Sequence, residues 1–201
     1  DKFVLHGQEI NQYLDGGSAL HLNLEEYLTK ENYNLDSASL VGNTMIDTLV
    51  AFDDVIQQNN ILEELGIAEK SFVLMTMHRP SNVDTKERLE ILLNIIAKVS
   101  ENSHLVLPIH HRTKNSLIKH GLFEQLENNP KVIITAALNY LSFQKLISTC
   151  KYVLTDSGGI QEETTFRQVP CLTLRENTER PSTITIGTNE LVEYNFEAVS
   201  A

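Results

Sequence analysis

Nowhere in the 201 residues is there an apolar run of about 18 residues, the length that a membrane-crossing helix needs. Nor does the opening segment, DKFVLHGQEINQ, place a basic stretch before an apolar one, so no secretory leader is expected. Cysteine is scarce. Cys150 and Cys171 each stand beside an expected strand, which reads as free buried thiol in a reducing cytoplasm. No Cys/His spacing has the form of a zinc site. Basic residues are outnumbered, 16 Lys and Arg against 27 Asp and Glu, and the formal net charge is −11. An acidic surface of that kind argues against nucleic acid or an anionic membrane as partner. It leaves room for one anionic small molecule in a locally electropositive pocket. Internal repeats and low-complexity stretches are absent too.

What is present is the composition of an ordinary globular protein, 41% hydrophobic and 21% charged. From about residue 38, short apolar runs alternate with amphipathic stretches. The runs Ser39–Val41, Phe72–Thr76, Leu105–Pro108, Val132–Thr135, Tyr152–Thr155 and Pro170–Leu174 read as buried parallel strands. Between them, helices are expected over Thr44–Leu65 (one or two, ending at Gly66), Thr85–Glu101, Asn115–Glu127, Leu141–Thr149 and Gly159–Arg167. The alternation predicts an α/β fold, a Rossmann-like parallel sheet with right-handed crossovers and helices on both faces. Such sheets bind ligands beyond the carboxyl ends of their strands.

Those ends are polar, basic or glycine-rich. LTDSGGIQEE, Leu154–Glu163, runs an apolar strand into Ser157-Gly158-Gly159 and then a helix. Two glycines permit close backbone approach, and the helix N-terminus presents unpaired N–H groups, which suits a diphosphate. Glu162 is read as complementing the helix dipole. Glu163, one turn after Gly159, can turn back toward a ligand, and a carboxylate there suits sugar or ribose hydroxyls. His78 and Arg79 end another strand, and both donate to phosphate oxygens. His110 and His111 divide into one that faces the cleft and one that ends its strand. Phe143, early in a helix, reads from the residues alone as core. In the loop Thr178-Glu179-Arg180-Pro181 the charged pair forms a surface salt bridge, or Arg175 and Arg180 reach a phosphate or sugar. Asn43 or Thr44 caps the helix that follows Gly42.

Taken in order, GNTMIDTL, MHRPSNVD, LTDSGGIQEE and RENTERPSTITIGTN resemble the C-terminal half of the UDP-N-acetylglucosamine 2-epimerase family of the non-hydrolysing type, from about Leu20 to Leu191. The resemblance implies one half of a GT-B-type two-domain fold, with residues 20–201 as the nucleotide-sugar-binding domain and 1–19 as a remnant of an N-terminal domain or an irregular leader. It implies that His78 and Arg79 lie near the diphosphate, that Ser157, Gly158 and Gly159 hold the phosphates, that Glu163 binds ribose and that Phe143 stacks near uracil. Arg180 and His110 are implied as further active-site members, with His78, His110 and Arg180 as the catalytic candidates. The reaction implied inverts C2 of the sugar by eliminating UDP and adding it back, with no metal or other cofactor, in a cytoplasmic homodimer acting on a UDP-sugar. The family's proposed acid/base carboxylates sit in an N-terminal domain for which this chain is too short. Weak nucleotide binding and incomplete turnover are therefore expected of the chain alone. The alternatives are a hydrolysing relative, a GT-B glycosyltransferase and a catalytically dead UDP-binding remnant.

Overall fold

The computed structural model describes residues 43–195 and a few isolated positions between 29 and 36. Six parallel strands form one sheet: β1 (Phe72–Thr76), β2 (His104–Pro108), β3 (Val132–Thr135), β4 (Val153–Thr155), β5 (Cys171–Leu174) and β6 (Asn189–Val192). Their order is β3-β2-β1-β4-β5-β6. The chain therefore winds outward twice from the middle, and the direction reverses between β1 and β4, where Leu74, Met75 and Thr76 pair with Val153, Leu154 and Thr155. The carboxyl ends of those two strands define the crevice in which such folds bind ligands.

Period-two alternation within the strands serves two cores, because both faces are covered. Val73 and Met75, with Leu105, Leu107, Leu154 and Leu174, join one core with Leu89, Leu92, Ile95 and Ile96 of the helix α5 (Lys86–Asn102). Phe72 and Leu74, with Val106, Val153 and Cys171, join the other with Leu146 and Ile147 of α8 (Tyr140–Thr149) and Ile160 of α9 (Gly158–Phe166). Both cysteines are free and buried, and burial pushes their thiols up, to about 12 at Cys150 and about 11 at Cys171.

Five of the expected strands appear within one residue of their expected ends. The remaining one, Ser39–Val41, lies outside the described residues, as do residues 1–28. β6 takes its place in the sheet of six and was not anticipated. The stretch Thr44–Leu65 forms three helices, α1 (Thr44–Ala51), α2 (Asp53–Gln57) and α3 (Ile61–Leu65), and α3 ends as expected at Gly66 with φ 64°. Asn43 caps α1, its side chain accepting from the N–H groups of Met45 and Ile46. The expected helix Asn115–Glu127 is broken. α6 (His111–Lys119) starts earlier, and α7 (Phe123–Glu127) follows Gly121, whose φ of 68° favours glycine. Two one-turn helices, α4 (Pro80–Val83) and α10 (Pro181–Thr185), open with proline at the first position, where its missing N–H costs nothing.

Gly187, between α10 and β6, has no room for a side chain. A Cβ there would collide with Thr183 O and lie 2.7 Å from Thr165 Oγ1. Gly187→Ala is expected to destabilise the fold by about 1–3 kcal/mol through overpacking. Urea unfolding would show this as a lower midpoint at an unchanged slope; an unchanged midpoint would mean that α10 shifts freely.

Candidate functional site at the switch point

Asp156 follows β4 and is fully buried. Its carboxylate accepts from the backbone N–H groups of His78 (3.1 Å) and Arg79 (2.8 Å), and from Asn82 Nδ2 (3.2 Å). His78 Nδ1 lies 3.1 Å from Oδ1 of the same group. Burial works to raise the Asp156 pKa, but the hydrogen bonds from the His78 side chain and the Arg79 N–H outweigh it, and the carboxyl sits below its ordinary value. An ionised carboxylate only accepts, so His78 presents Nδ1–H to it and keeps Nε2 as its free ring nitrogen. The chain after β1 is thus pinned, backbone and side chain, to the chain after β4.

Arg79 adds a second tie, Nε–H donating to Asp156 O at 2.9 Å, and its Nη2 lies 3.5 Å from Glu179 Oε1. Arg175, after β5, grips Glu179 with two bonds of 2.7 Å. That grip holds the Glu179 carboxyl down at about 2. Glu179 is therefore matched by two arginines, one of which, Arg79, remains partly exposed. Beside them opens a cleft lined by Arg79, Ser81, Asn82, Arg88, Arg175 and Tyr194.

The helix entering this mouth is α9. Asn43, Thr85 and Asn139 cap their helices with side-chain hydrogen bonds, but Ser157, at the equivalent position of α9, makes none. The first turn of α9 therefore keeps N–H donors without a side-chain partner, at the positive end of its dipole. Gly158 lies against the carboxylate of Glu179, where a Cβ would be 3.6 Å from Oε2, and Gly159 against Met45, where a Cβ would be 3.2 Å from Cε.

The matching family model, UDP-N-acetylglucosamine 2-epimerase, spans residues 18–201. The chain belongs to the UDP-N-acetylglucosamine 2-epimerase family. A UDP-N-acetylglucosamine 2-epimerase homolog of Methanococcus maripaludis is 40% identical over 79% of the chain and 44% of that relative. The crystal structure of the Methanocaldococcus jannaschii UDP-GlcNAc 2-epimerase in complex with UDP-GlcNAc and UDP matches with a TM-score of 0.80 and 35% identity, over 94% of this chain and 52% of that one. The Neisseria meningitidis UDP-GlcNAc 2-epimerase bound to UDP-GlcNAc matches at a TM-score of 0.70 and 26% identity, over 89% and 49%. The chain spans about half the length of the curated relatives it matches.

Of the residues singled out on the family resemblance, the fold brings His78, Arg79, Ser157 and Gly158 to one mouth. His110 joins them, its ring 5.4 Å from that of His78. It caps α6 with Nδ1 accepting from the Arg112 N–H at 3.2 Å, and burial, with His111 and His78 nearby, lowers its pKa. His111 stacks 4.1 Å away and begins α6. Glu163 lies deeper along α9, only 7% exposed, and burial pushes its carboxyl up to about 7. Arg180 is buried against Glu162, Nε to Oε2 3.2 Å, without the alignment of a hydrogen bond. Glu162 is thus an ion-pair partner in addition to a first-turn acid. Phe143, half-buried on α8, packs against the second core. Among the described residues no group of three or more His, Cys, Asp or Glu is placed to hold a metal.

Asp156 and Asn82 were not singled out from sequence. The available signal was an aspartate placed between an apolar strand and a Ser-Gly-Gly turn.

Proposed function

We propose that this chain forms the UDP-holding half of a cytoplasmic, homodimeric enzyme that interconverts UDP-N-acetylglucosamine and UDP-N-acetylmannosamine. UDP is eliminated to leave a 2-acetamidoglucal and is then added back to give the opposite configuration at C2. The observation that carries this reading is the uncapped N-terminus of α9 facing His78 and Arg79 across the switch point. Ser157, Gly158 and Gly159 offer a hydroxyl and backbone N–H groups to the diphosphate, and Arg79 offers charge. His78 Nε2 faces the leaving phosphate, with Asp156 fixing the ring. Glu163 accepts from the ribose hydroxyls, Phe143 lies against uracil, and His110 and Arg180 complete the site. As UDP departs, these donors stabilise the charge that develops on it.

Calorimetric titration of UDP into the chain tests this. Wild type is expected to bind, with Ser157→Ala and Glu163→Ala each weakening binding about tenfold or more. Unchanged affinity in both variants would place the nucleotide elsewhere. Product analysis with UDP-N-acetylglucosamine separates the epimerase from a hydrolysing enzyme or a glycosyltransferase, since only epimerisation conserves UDP-sugar.

A further inference from the structure

Ser157 is held by its backbone from both sides. Its N–H donates to Thr155 Oγ1 at 3.0 Å. A backbone N–H only donates, so the Thr155 hydroxyl accepts there and keeps its own proton for Thr76 Oγ1, 2.9 Å away across the β1–β4 pair. Thr155 is fully buried. On the other side, Gln161 Nε2 donates to Ser157 O at 3.3 Å. Gln161 is fully buried too, and its neighbours fix which way round its amide stands. The Arg180 N–H donates to Thr178 Oγ1 at 2.9 Å, so that hydroxyl passes its proton to Gln161 Oε1 at 2.6 Å. Asn189 Nδ2 gives a second bond to the same oxygen at 3.2 Å. With Oε1 accepting twice, the nitrogen end is the one turned to the Ser157 carbonyl. Thr178 precedes Glu179, whose carboxylate lies against Gly158, so one buried amide joins the Ser157-Gly158 turn to the loop that packs on it. The backbone polar groups of Ser157 are thus committed, while its hydroxyl makes no capping bond to α9.

We infer that Thr155 and Gln161 are positioning residues: they clamp the Ser157 backbone so that its hydroxyl, uncommitted to its own helix, is presented to a phosphate oxygen of the nucleotide. The inference rests on Ser157 as a phosphate ligand. Both clamping side chains are fully buried, so they act on the nucleotide through Ser157 and not by touching it. Glutamine suits the second position because it must donate at one end of its amide while accepting at the other, which neither an ionised glutamate nor a leucine does.

The test is a pair of double-mutant cycles read by calorimetric titration of UDP into the full chain: Thr155→Val and Gln161→Leu, each made in wild type and in Ser157→Ala. In the wild-type background each variant is expected to weaken UDP binding roughly fivefold, the worth of one hydrogen bond. In the Ser157→Ala background the same changes are expected to cost less than about twofold, because the hydroxyl through which they act is gone. A merely structural role would weaken binding by the same factor in both backgrounds, and that result overturns the inference, as does unchanged affinity of either variant in the wild-type background. Thr155→Val keeps the shape of its side chain, so if Gln161→Leu does not fold, Thr155→Val carries the cycle alone. Failure of the underlying reading looks different: wild type does not bind UDP, or Ser157→Ala binds it as wild type does, and in either case the clamp has no ligand to serve and falls with that reading.

Discussion

Replacing Asp156 by alanine is expected to cost about 3–5 kcal/mol of folding stability and to abolish UDP binding. The magnitude follows from what the carboxylate satisfies. Two backbone N–H groups, the Asn82 amide and the His78 ring converge on it, and it is fully buried; the His78 ring, partly exposed, can turn to water, but the buried Asn82 amide cannot. Asn82 keeps one bond, from Nδ2 to Leu174 O at 3.2 Å. The N–H groups of His78 and Arg79 would face an empty space. A typical domain has only about 5–15 kcal/mol to lose, so the variant is expected to be partly unfolded at ambient temperature. Asp156→Asn separates fold from site. It preserves volume but sets an NH2 group among donors, so it is expected to lose less stability while releasing the His78 ring, visible in the nitrogen shifts of the imidazole. The wild-type contribution also has a pH signature. A carboxyl held below its ordinary value of 3.8 stabilises the fold above that value and loses its contribution as pH falls through the lowered one. A loss below about 1 kcal/mol in Asp156→Ala, within the range of an unremarkable substitution, would show that the junction does not depend on this group.

Much of the frame was legible from sequence, for a physical reason. β1 (Phe72–Thr76) and β3 (Val132–Thr135) were expected at their observed bounds because a buried parallel strand must be a short apolar run, and each is bordered by polar or glycine-containing sequence. Gly66 marked the end of α3 by its capacity for positive φ. β6 was missed because an edge strand needs no apolar run: Asn-Glu-Leu-Val buries only Asn189 and Val192, and Asn189 is there as a hydrogen-bonding group, accepting from Thr173 Oγ1 at 2.6 Å. α6 was expected to begin too late because its cap is a histidine. The imidazole of His110 does the work usually given to Ser, Thr, Asn or Asp.

The site was legible where it is local. Ser157-Gly158-Gly159 announces itself within one turn, as does His78-Arg79. Asp156 does not, because three of its partners lie 74–78 residues away and one of them, the backbone N–H of His78, has no sequence signature at all. Contacts between helices were illegible for the same reason: Arg167 donates to Gln144 and pairs with Asp53, each on another helix, and Glu162 and Arg180 are likewise paired across 18 positions.

Glu163→Gln is expected to remove a pH dependence from both stability and nucleotide binding. In the folded chain burial raises the Glu163 carboxyl from 4.5 to about 7. The folded state therefore favours the protonated form. Its contribution is fully present below pH 4.5, declines as pH rises, and is lost above about 7, where a buried carboxylate must stand ionised. The difference corresponds to about 3 kcal/mol. Glu162 is raised by burial too, opposed by Arg180, and contributes with the same sign. The comparison that isolates Glu163 is therefore the difference between wild type and Glu163→Gln, measured by urea unfolding at about pH 5 and about pH 8. Wild type should lose stability relative to the variant over that interval. Binding should run in the opposite sense. Ribose hydroxyls donate, so they prefer the ionised carboxylate, and UDP should bind more tightly to wild type as pH rises toward 8, releasing a proton near neutrality. Titration in buffers of different ionisation enthalpy reads that proton directly. Its presence in wild type and absence in Glu163→Gln would join the buried carboxyl to the nucleotide; equal proton release from both would mean that the nucleotide phosphate or a histidine supplies it, and that Glu163 stays protonated behind the site.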